Sequence, residues 1–348
     1  MKIYIDTIIF DLQKSGGISV YWFEIISRFV TDSNIELILI DSNEPKENIL
    51  YGKLDLSDIK IIKYKKFLNR YRAVNYRENE KHIFISSYYR YSKNKNAINV
   101  TIIHDFTYEY FVKGLKLFVH HRQKKKAVKK SEKLICISQN TKSDLIKFFG
   151  DMVNKKEIHV IYNGVGECYR HLTKAELLEI ENKNEFLKDI KSQFVLFVGA
   201  RGGYKNWNEA IELFKKLPQE YFMVSVGGSP LNEDEQNLLN ETSDRHIYIP
   251  PAGNEVLAYL YNKAEALLYL SDYEGFGIPV VEAQRCGCPV LAKPVSSIPE
   301  VAGDGVHFIG SDANIEGIKE FFSRKYQYTL DFSWEKCYNE LRECLKIN

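Results

Sequence analysis

Two glutamates separated by seven residues hold the densest chemistry in the chain: Glu274-Gly-Phe-Gly-Ile-Pro-Val-Val-Glu282, one residue after the apolar run "ALLYLSD". Gly275 and Gly277 let the backbone amides around Phe276 approach a ligand closely. Pro279 suits the first turn of a helix, where its missing N–H costs little. Glu282 then lies about one turn into that helix. A carboxylate only accepts hydrogen bonds, so it matches a ribose diol, which brings two donors. Either glutamate alone reads equally well as a first-turn acid favoured by the helix dipole; the whole string carries the functional reading. A second cluster, "FVGARGGYKNWNEAI", also follows an apolar run. Arg201 and Lys205 flank a Gly-Gly turn before a helix, and two cations beside a helix N-terminus make a seat for a diphosphate. The Gly-Lys-Ser/Thr ending of a P-loop is absent, and no G-x-G-x-x-G occurs in the chain, which weakens a dehydrogenase reading. Gly16-Gly17 opens another helix after the first apolar run, and His104-Asp105 ends "VTIIHD". A histidine there can donate to a sugar hydroxyl or position a reacting group.

The elements that must hold these residues alternate from end to end. "KIYI", "IELILI", "IKIIKY", "HIFIS", "VTIIH", "KLICIS" and "IHVIY" read as strands, with helices around 18–30, 113–131 and 139–149. "FVLFVG", "FMVSVG", "HIYIP", "ALLYLS" and "PVLA" follow, with helices near 206–216, 233–241, 254–263, 278–286 and 312–324. Continuous apolar strands between helices indicate α/β parallel sheets covered on both faces. Ligands in such sheets bind beyond the carboxyl ends of the strands, where all four clusters lie. The last segment, "FSWEKCYNELRECL", reads as a helix with Trp334, Cys337, Leu341 and Cys344 or Leu345 on one face.

The charge distribution divides the chain further. Of 48 Lys+Arg and 46 Asp+Glu, residues 1–163 carry 29 basic and 18 acidic side chains, an excess of +11, while the remainder is at −9. Opposite signs over 348 residues point to two Rossmann-like domains, divided around 162–173 where "YNGVGECYRHLT" breaks the pattern. The six cysteines form no Cys-x-x-Cys pair and read as buried thiols. No run of 18 apolar residues exists, and Asp6 interrupts the first apolar stretch, so neither a membrane span nor a signal peptide is expected. The expected location is cytoplasmic. The run "HHRQKKKAVKKSEK" at 120–133 reads as a solvated helix face. It lacks the interleaved aromatics of a base-stacking surface, so no nucleic acid partner is expected.

In their order along the chain, these clusters resemble the retaining family-four glycosyltransferases of GT-B type. "GGISVYWFEII", "IIHDFTYE", "LICISQNTKSDLIKFF", "IHVIYNGV", "FVGARGGYKN", "EGFGIPVVEAQRCGCPVLA", "SSIPEVAGDG" and "FSWEKC" carry the resemblance, which covers almost the whole chain. Within the group, "LQKSGGIS" is similar to enzymes that build bacterial O-antigen and capsule polysaccharides. The resemblance implies two facing Rossmann-like domains with a cleft between them: an acceptor domain over 1–163, a donor domain over 164–330, and a terminal helix over 331–348 returning to the first domain. Arg201 and Lys205 then match the pair neutralising the donor diphosphate, and Glu282 the ribose ligand. Glu274 and the amides of Gly275, Phe276 and Gly277 match the positions holding the transferred sugar. His104 matches the histidine near that sugar, and Gly16-Gly17 the loop whose Gly17 amide approaches the phosphates. The implied partners are a nucleotide-sugar donor, a glycan or lipid-linked glycan acceptor, and an anionic inner-membrane surface that the chain would meet peripherally. No Asp-x-Asp occurs, so no metal or other cofactor is expected. A GT-B epimerase and a basic membrane-associated binding protein remain as alternatives.

Overall fold

The computed structural model describes residues 1–64, 69–190, 193–239, 242–310, 315–322, 326 and 328–347. The chain divides into one unit of Met1–Gly164 with Phe332–Asn348, and a second of Val165–Asp331. Parts of the helix expected over 312–324 lie outside the described residues, as does Asn348.

The first unit runs β1 (Lys2–Asp6), α1 (Ile9–Leu12), α2 (Gly17–Thr31), β2 (Glu36–Ser42), β3 (Lys60–Tyr64), β4 (His82–Ser86) and β5 (Ala97–Ile103). It continues through α3 (Thr107–Phe111), α4 (Gly114–Lys130), β6 (Lys133–Cys136), α5 (Gln139–Phe149) and β7 (Glu157–Val160). Among the described residues the strands form one parallel sheet in the order β3-β2-β1-β4-β5-β6-β7. β1 and β4 are buried almost throughout, which is why each appears in sequence as an unbroken apolar run. Helix α2 buries Tyr21, Trp22, Ile25, Ile26 and Phe29, a stripe at helical spacing.

The second unit runs α6 (Lys174–Lys183), β8 (Phe194–Val198), α7 (Trp207–Lys216), β9 (Phe222–Val226), α8 (Glu233–Leu239), β10 (His246–Ile249), α9 (Asn254–Lys263) and β11 (Ala266–Tyr269). Then come α10 (Ile278–Arg285), β12 (Val290–Ala292), α11 (Ile298–Val301), β13 (Val306–Phe308) and α12 (Ile315–Phe322). Among the described residues this sheet is also parallel, ordered β10-β9-β8-β11-β12-β13, which is the doubly wound Rossmann order. Its core packs Trp207, Ile211 and Phe214 of α7 against Val195, Phe197, Met223 and Leu268 of the strands.

The last helix, α13 (Trp334–Leu345), belongs to the first unit. Ser333 caps it by accepting from the Lys336 amide. Its buried face is Trp334, Cys337, Tyr338, Leu341, Cys344 and Leu345, the stripe expected from sequence with Tyr338 added. Tyr338 donates to Asp32 at the end of α2 (2.8 Å), and Arg342 stands 3.2 Å from the same carboxylate. Gly164 is needed beneath it, because a Cβ there would meet the Trp334 backbone at 2.4 Å.

Helix α4 corrects the sequence reading of a wholly solvated basic face. Its Lys124 is fully buried. The ammonium group lies 2.8 Å from Glu109 and donates to the Asp105 carbonyl at 2.9 Å. It also sits 4.1 Å from the Phe106 ring centre. Arg122, Lys125, Lys126, Lys129 and Lys130 are exposed as expected. All six cysteines are free thiols, five of them buried.

Candidate active site

In each sheet the chain order reverses at one place, between β1 and β4 and between β8 and β11. A crevice opens at such a reversal, beyond the carboxyl ends of the strands. The loops after β8 and β11 carry the residues singled out from sequence, and they are tied together. Asn206 donates to the Leu270 carbonyl at 2.9 Å, and the Asp272 amide to the Tyr204 carbonyl at 2.8 Å. Asn206 holds a left-handed conformation (φ 54°) that turns the chain into α7.

This arrangement brings Lys205 onto Glu274. The Nζ–Oε1 distance is 2.6 Å, with both side chains largely buried. The ammonium group also lies 5.3 Å from the centre of the Tyr269 ring. Glu274 is fixed from the loop after β12: its amide donates to Ser296 Oγ (2.8 Å) and its carbonyl accepts from Ser297 Oγ (2.9 Å). Ser296 is itself left-handed (φ 51°). These two serines hold Glu274 in place; the sequence shows them only within "SSIPEVAGDG", with no role assigned to either.

Arg201 reaches the next loop along the sheet. It is buried; Nη1 donates to the Gly227 carbonyl (2.9 Å) and Nη2 to the Ser229 carbonyl. Its Nε lies 3.2 Å from Glu235 Oε1 without the alignment of a hydrogen bond. Gly228 has φ +72°, and a Cβ there would stand 3.3 Å from Nη1, so the turn leaves room for this arginine. Arg201 thus cements the loops after β8 and β9, while Lys205 faces Glu274.

Gly277 precedes α10 in the left-handed region (φ +95°), and a Cβ there would meet Ile298 Cδ1 at 2.6 Å. Phe276 is buried beside it, and Pro279 occupies the first turn. Glu282 points inward from α10, and Tyr261 of α9 donates to its Oε2 at 3.1 Å. Burial raises its pKa to about 7, and the hydroxyls of Tyr261 and Tyr169 pull it partly back. Glu282 thus holds its proton close to neutrality, unlike the acceptor-only carboxylate read from sequence, and tyrosine hydroxyls already engage it.

In the first unit, Gly16 caps α2 and Gly17 begins it; the Gly16 carbonyl accepts from the Val20 amide and Ser19 Oγ. His104 lies beyond β5, buried, edge-on to Tyr21 of α2 with ring centres 5.0 Å apart. Burial lowers its pKa to about 4, so the ring is neutral at neutral pH. Its Nε2 is buried without a hydrogen-bond partner among the described residues, leaving a nitrogen to offer a ligand.

The chain matches known proteins over both units. The family described as Glycosyltransferase Family 4 matches residues 15–166, and Glycosyl transferases group 1 matches residues 179–324. O-antigen chain mannosyltransferase B of Escherichia coli is 26% identical over 235 residues, covering 62% of this chain and 60% of its own. O-antigen chain mannosyltransferase RfbU of Salmonella typhimurium is 27% identical over 224 residues, covering 61% and 58%. These alignments span about three fifths of the two enzymes. An uncharacterized glycosyltransferase of Methanocaldococcus jannaschii aligns over 94% of this chain and 93% of its own at 26% identity. Among solved structures, HepE of Anabaena in complex with UDP and glucose superposes with a TM-score of 0.68 at 14% identity, covering 99% of both chains. Sucrose-phosphate synthase of Thermosynechococcus elongatus gives 0.69 at 14% identity, covering 99% of this chain and 98% of its own. With two reversing parallel sheets and family matches running through both units, the chain belongs to the GT-B glycosyltransferases of the family-four group.

Proposed function

We propose that this protein transfers a hexose or deoxyhexose from a nucleoside-diphosphate sugar to a hydroxyl of a growing surface glycan of O-antigen or capsule type. The observation that carries this reading is the Lys205–Glu274 pair, held at the sheet reversal by loops from β8 and β11. Lys205 donates to Glu274, and its ammonium group is the kind of positive charge that a diphosphate seated beside it requires. Glu274 and the amides of Gly275, Phe276 and Gly277 then hold the sugar hydroxyls, and Glu282 accepts from the ribose. Arg201 supplies the second positive charge and fixes the loop that presents Lys205. His104 donates to the sugar, and the Gly16-Gly17 turn offers amides to the phosphates.

Transfer proceeds with retention and needs no metal. The C1–O bond to the β-phosphate breaks while the acceptor oxygen bonds C1 on the same face. The departing phosphate takes the acceptor's proton, and the charge collecting on its oxygen is stabilised by preorganised cations. The surface glycan assignment is supported by likeness to the O-antigen enzymes. The acceptor is lipid-linked and the protein attaches peripherally to an anionic membrane through the first unit.

The test is a panel of nucleotide sugars scored by thermal shift, with Glu282→Ala as control, followed by acceptor-dependent release of nucleoside diphosphate. Stabilisation by one donor that the variant loses, with product of retained anomeric configuration, is the expected result. Conversion of the donor sugar without acceptor would replace the reading with an epimerase. A covalent glycosyl adduct on Glu274 would overturn the same-face mechanism.

A further inference from the structure

The first unit carries a second candidate site, between the segments that precede and follow β4 and helix α4. A cavity of about 150 Å³ there is lined by Arg70, Arg72, Arg122 and Lys126, with Tyr71 and Phe118 at its edge. No carboxylate lines it among the described residues. Arg90, also in its wall, is spent elsewhere: it pairs with buried Asp6 at 2.9 Å and donates from Nε to the Arg72 carbonyl at 3.1 Å. Arg70 is held instead by Tyr88. Its Nε is buried with no hydrogen-bond partner among the described residues, and its guanidinium lies over the Tyr88 ring at 5.2 Å.

The site is built into the sheet reversal. Asp6 ends β1 and Ser86 ends β4; Ser86 Oγ donates to Asp6 at 2.9 Å and accepts from the Arg90 amide at 3.2 Å. Between them Tyr89 is held buried at φ +47°, a conformation that persists only where the surroundings enforce it. Gln123 of α4 closes the other side by donating to the Arg70 carbonyl at 2.7 Å.

We propose that this pocket binds a pyrophosphate group, the anionic end of the acceptor. That last identification rests on the proposed function; the anion site itself does not. Four cations, three of them exposed, with no carboxylate in the described lining match a ligand bearing more than one negative charge, and arginine forks match phosphoryl oxygens. The volume falls below the roughly 300–1,000 Å³ of pockets for larger organic ligands. It suits a compact anion, with the first sugar or lipid unit resting on exposed Tyr71 and Phe118.

The test titrates inorganic pyrophosphate into the full chain by calorimetry. Two binding events are expected. Lys205→Ala should remove one, at the donor diphosphate seat. Arg122→Gln with Lys126→Gln should weaken the other about tenfold or more, with melting temperature and nucleotide-sugar binding unchanged. A single event lost in Lys205→Ala would overturn the pocket and leave the donor reading intact. A single event lost only in the double variant would keep the pocket and sink the donor seat. Vesicles carrying an isoprenoid diphosphate, compared with phosphatidylglycerol vesicles of equal charge, identify the source. Capture by the first in excess of the second, with the excess released by pyrophosphate and lost in the double variant, assigns the site to a lipid-linked anion. Binding of pyrophosphate with capture of neither assigns it to a soluble diphosphate. Equal capture of both, indifferent to the double variant, would overturn the pocket in favour of a diffuse basic surface.

Discussion

Glu282 keeps its proton up to about pH 7 because burial penalises the carboxylate more than two tyrosine hydroxyls relieve it. The folded pKa is raised above the ordinary value of 4.5, so the native state binds the proton more tightly than the unfolded chain does. The resulting stabilisation is complete below about pH 4.5 and is lost as pH rises through about 7. The loss is on the order of 3 kcal/mol. His104 and His246, both lowered to about 4 by burial, slope the other way, losing stability as pH falls from their ordinary value of 6.5 through about 4. The wild-type profile therefore mixes opposing terms, and the difference from Glu282→Gln isolates one. Urea unfolding should find the variant more stable than wild type at about pH 8 and nearly equal at about pH 4. The same proton bears on function, since a ribose diol needs an acceptor-only carboxylate. Nucleotide-sugar affinity should rise from about pH 6 to about pH 8 in wild type and stay flat in Glu282→Gln. A parallel rise in both would remove Glu282 from the ribose.

The apolar strands were legible because a strand buried on both faces shows its burial directly in its composition. β1 to β12 all coincide with runs evident in the sequence. β13 is three residues long and only partly buried, too little to stand out. Helix α6 escaped notice although Thr173 and Glu176 form a capping box at its start, a signal that was present in "TKAE". The burial of Lys124 could not be read, because its partner Glu109 lies 15 residues away and belongs to a separate helix. That pair makes a sharp prediction. Lys124→Met leaves Glu109 buried beside histidines and should cost about 3–5 kcal/mol in denaturant unfolding, whereas adding Glu109→Gln should recover most of it. A cost below about 1 kcal/mol, as for exposed pairs, would refute the burial. The turn into α10 makes another. Gly277→Ala should lower stability by about 1–3 kcal/mol through its positive φ. Ile298→Val should relieve only the steric part, so the double variant should stay below wild type. The Lys205–Glu274 pairing was not legible either: both residues were, but their contact depends on two loops that only the sheet order makes neighbours.

The charge asymmetry follows the units. The terminal segment 332–348 carries three basic and three acidic residues, so returning it to the first unit leaves the excess there at +11 and the second at −9. In the proposed reading an acidic unit takes a dianionic donor and must concentrate its cations locally, and Arg201 and Lys205 flank one turn. The first unit instead spreads its excess, and α4 displays it: Lys125, Lys126, Lys129 and Lys130 are exposed, with Leu115 and Phe118 protruding at the same helix's start. No described helix is long and apolar enough to cross a membrane, and the peripheral attachment proposed above is assigned to this combination. Basic residues near an anionic leaflet contribute about 1 kcal/mol each, attenuated over a Debye length of about 10 Å at 0.1 M salt. Vesicle flotation should therefore weaken steeply between about 0.05 and 0.5 M salt. Lys125→Glu with Lys129→Glu should reduce capture by anionic vesicles at low salt, and Leu115→Ser should reduce the salt-resistant remainder. These positions avoid both Lys124, which holds the fold, and Arg122 and Lys126, which line the pocket. Flotation indifferent to lipid charge and to the paired reversals would overturn attachment through α4.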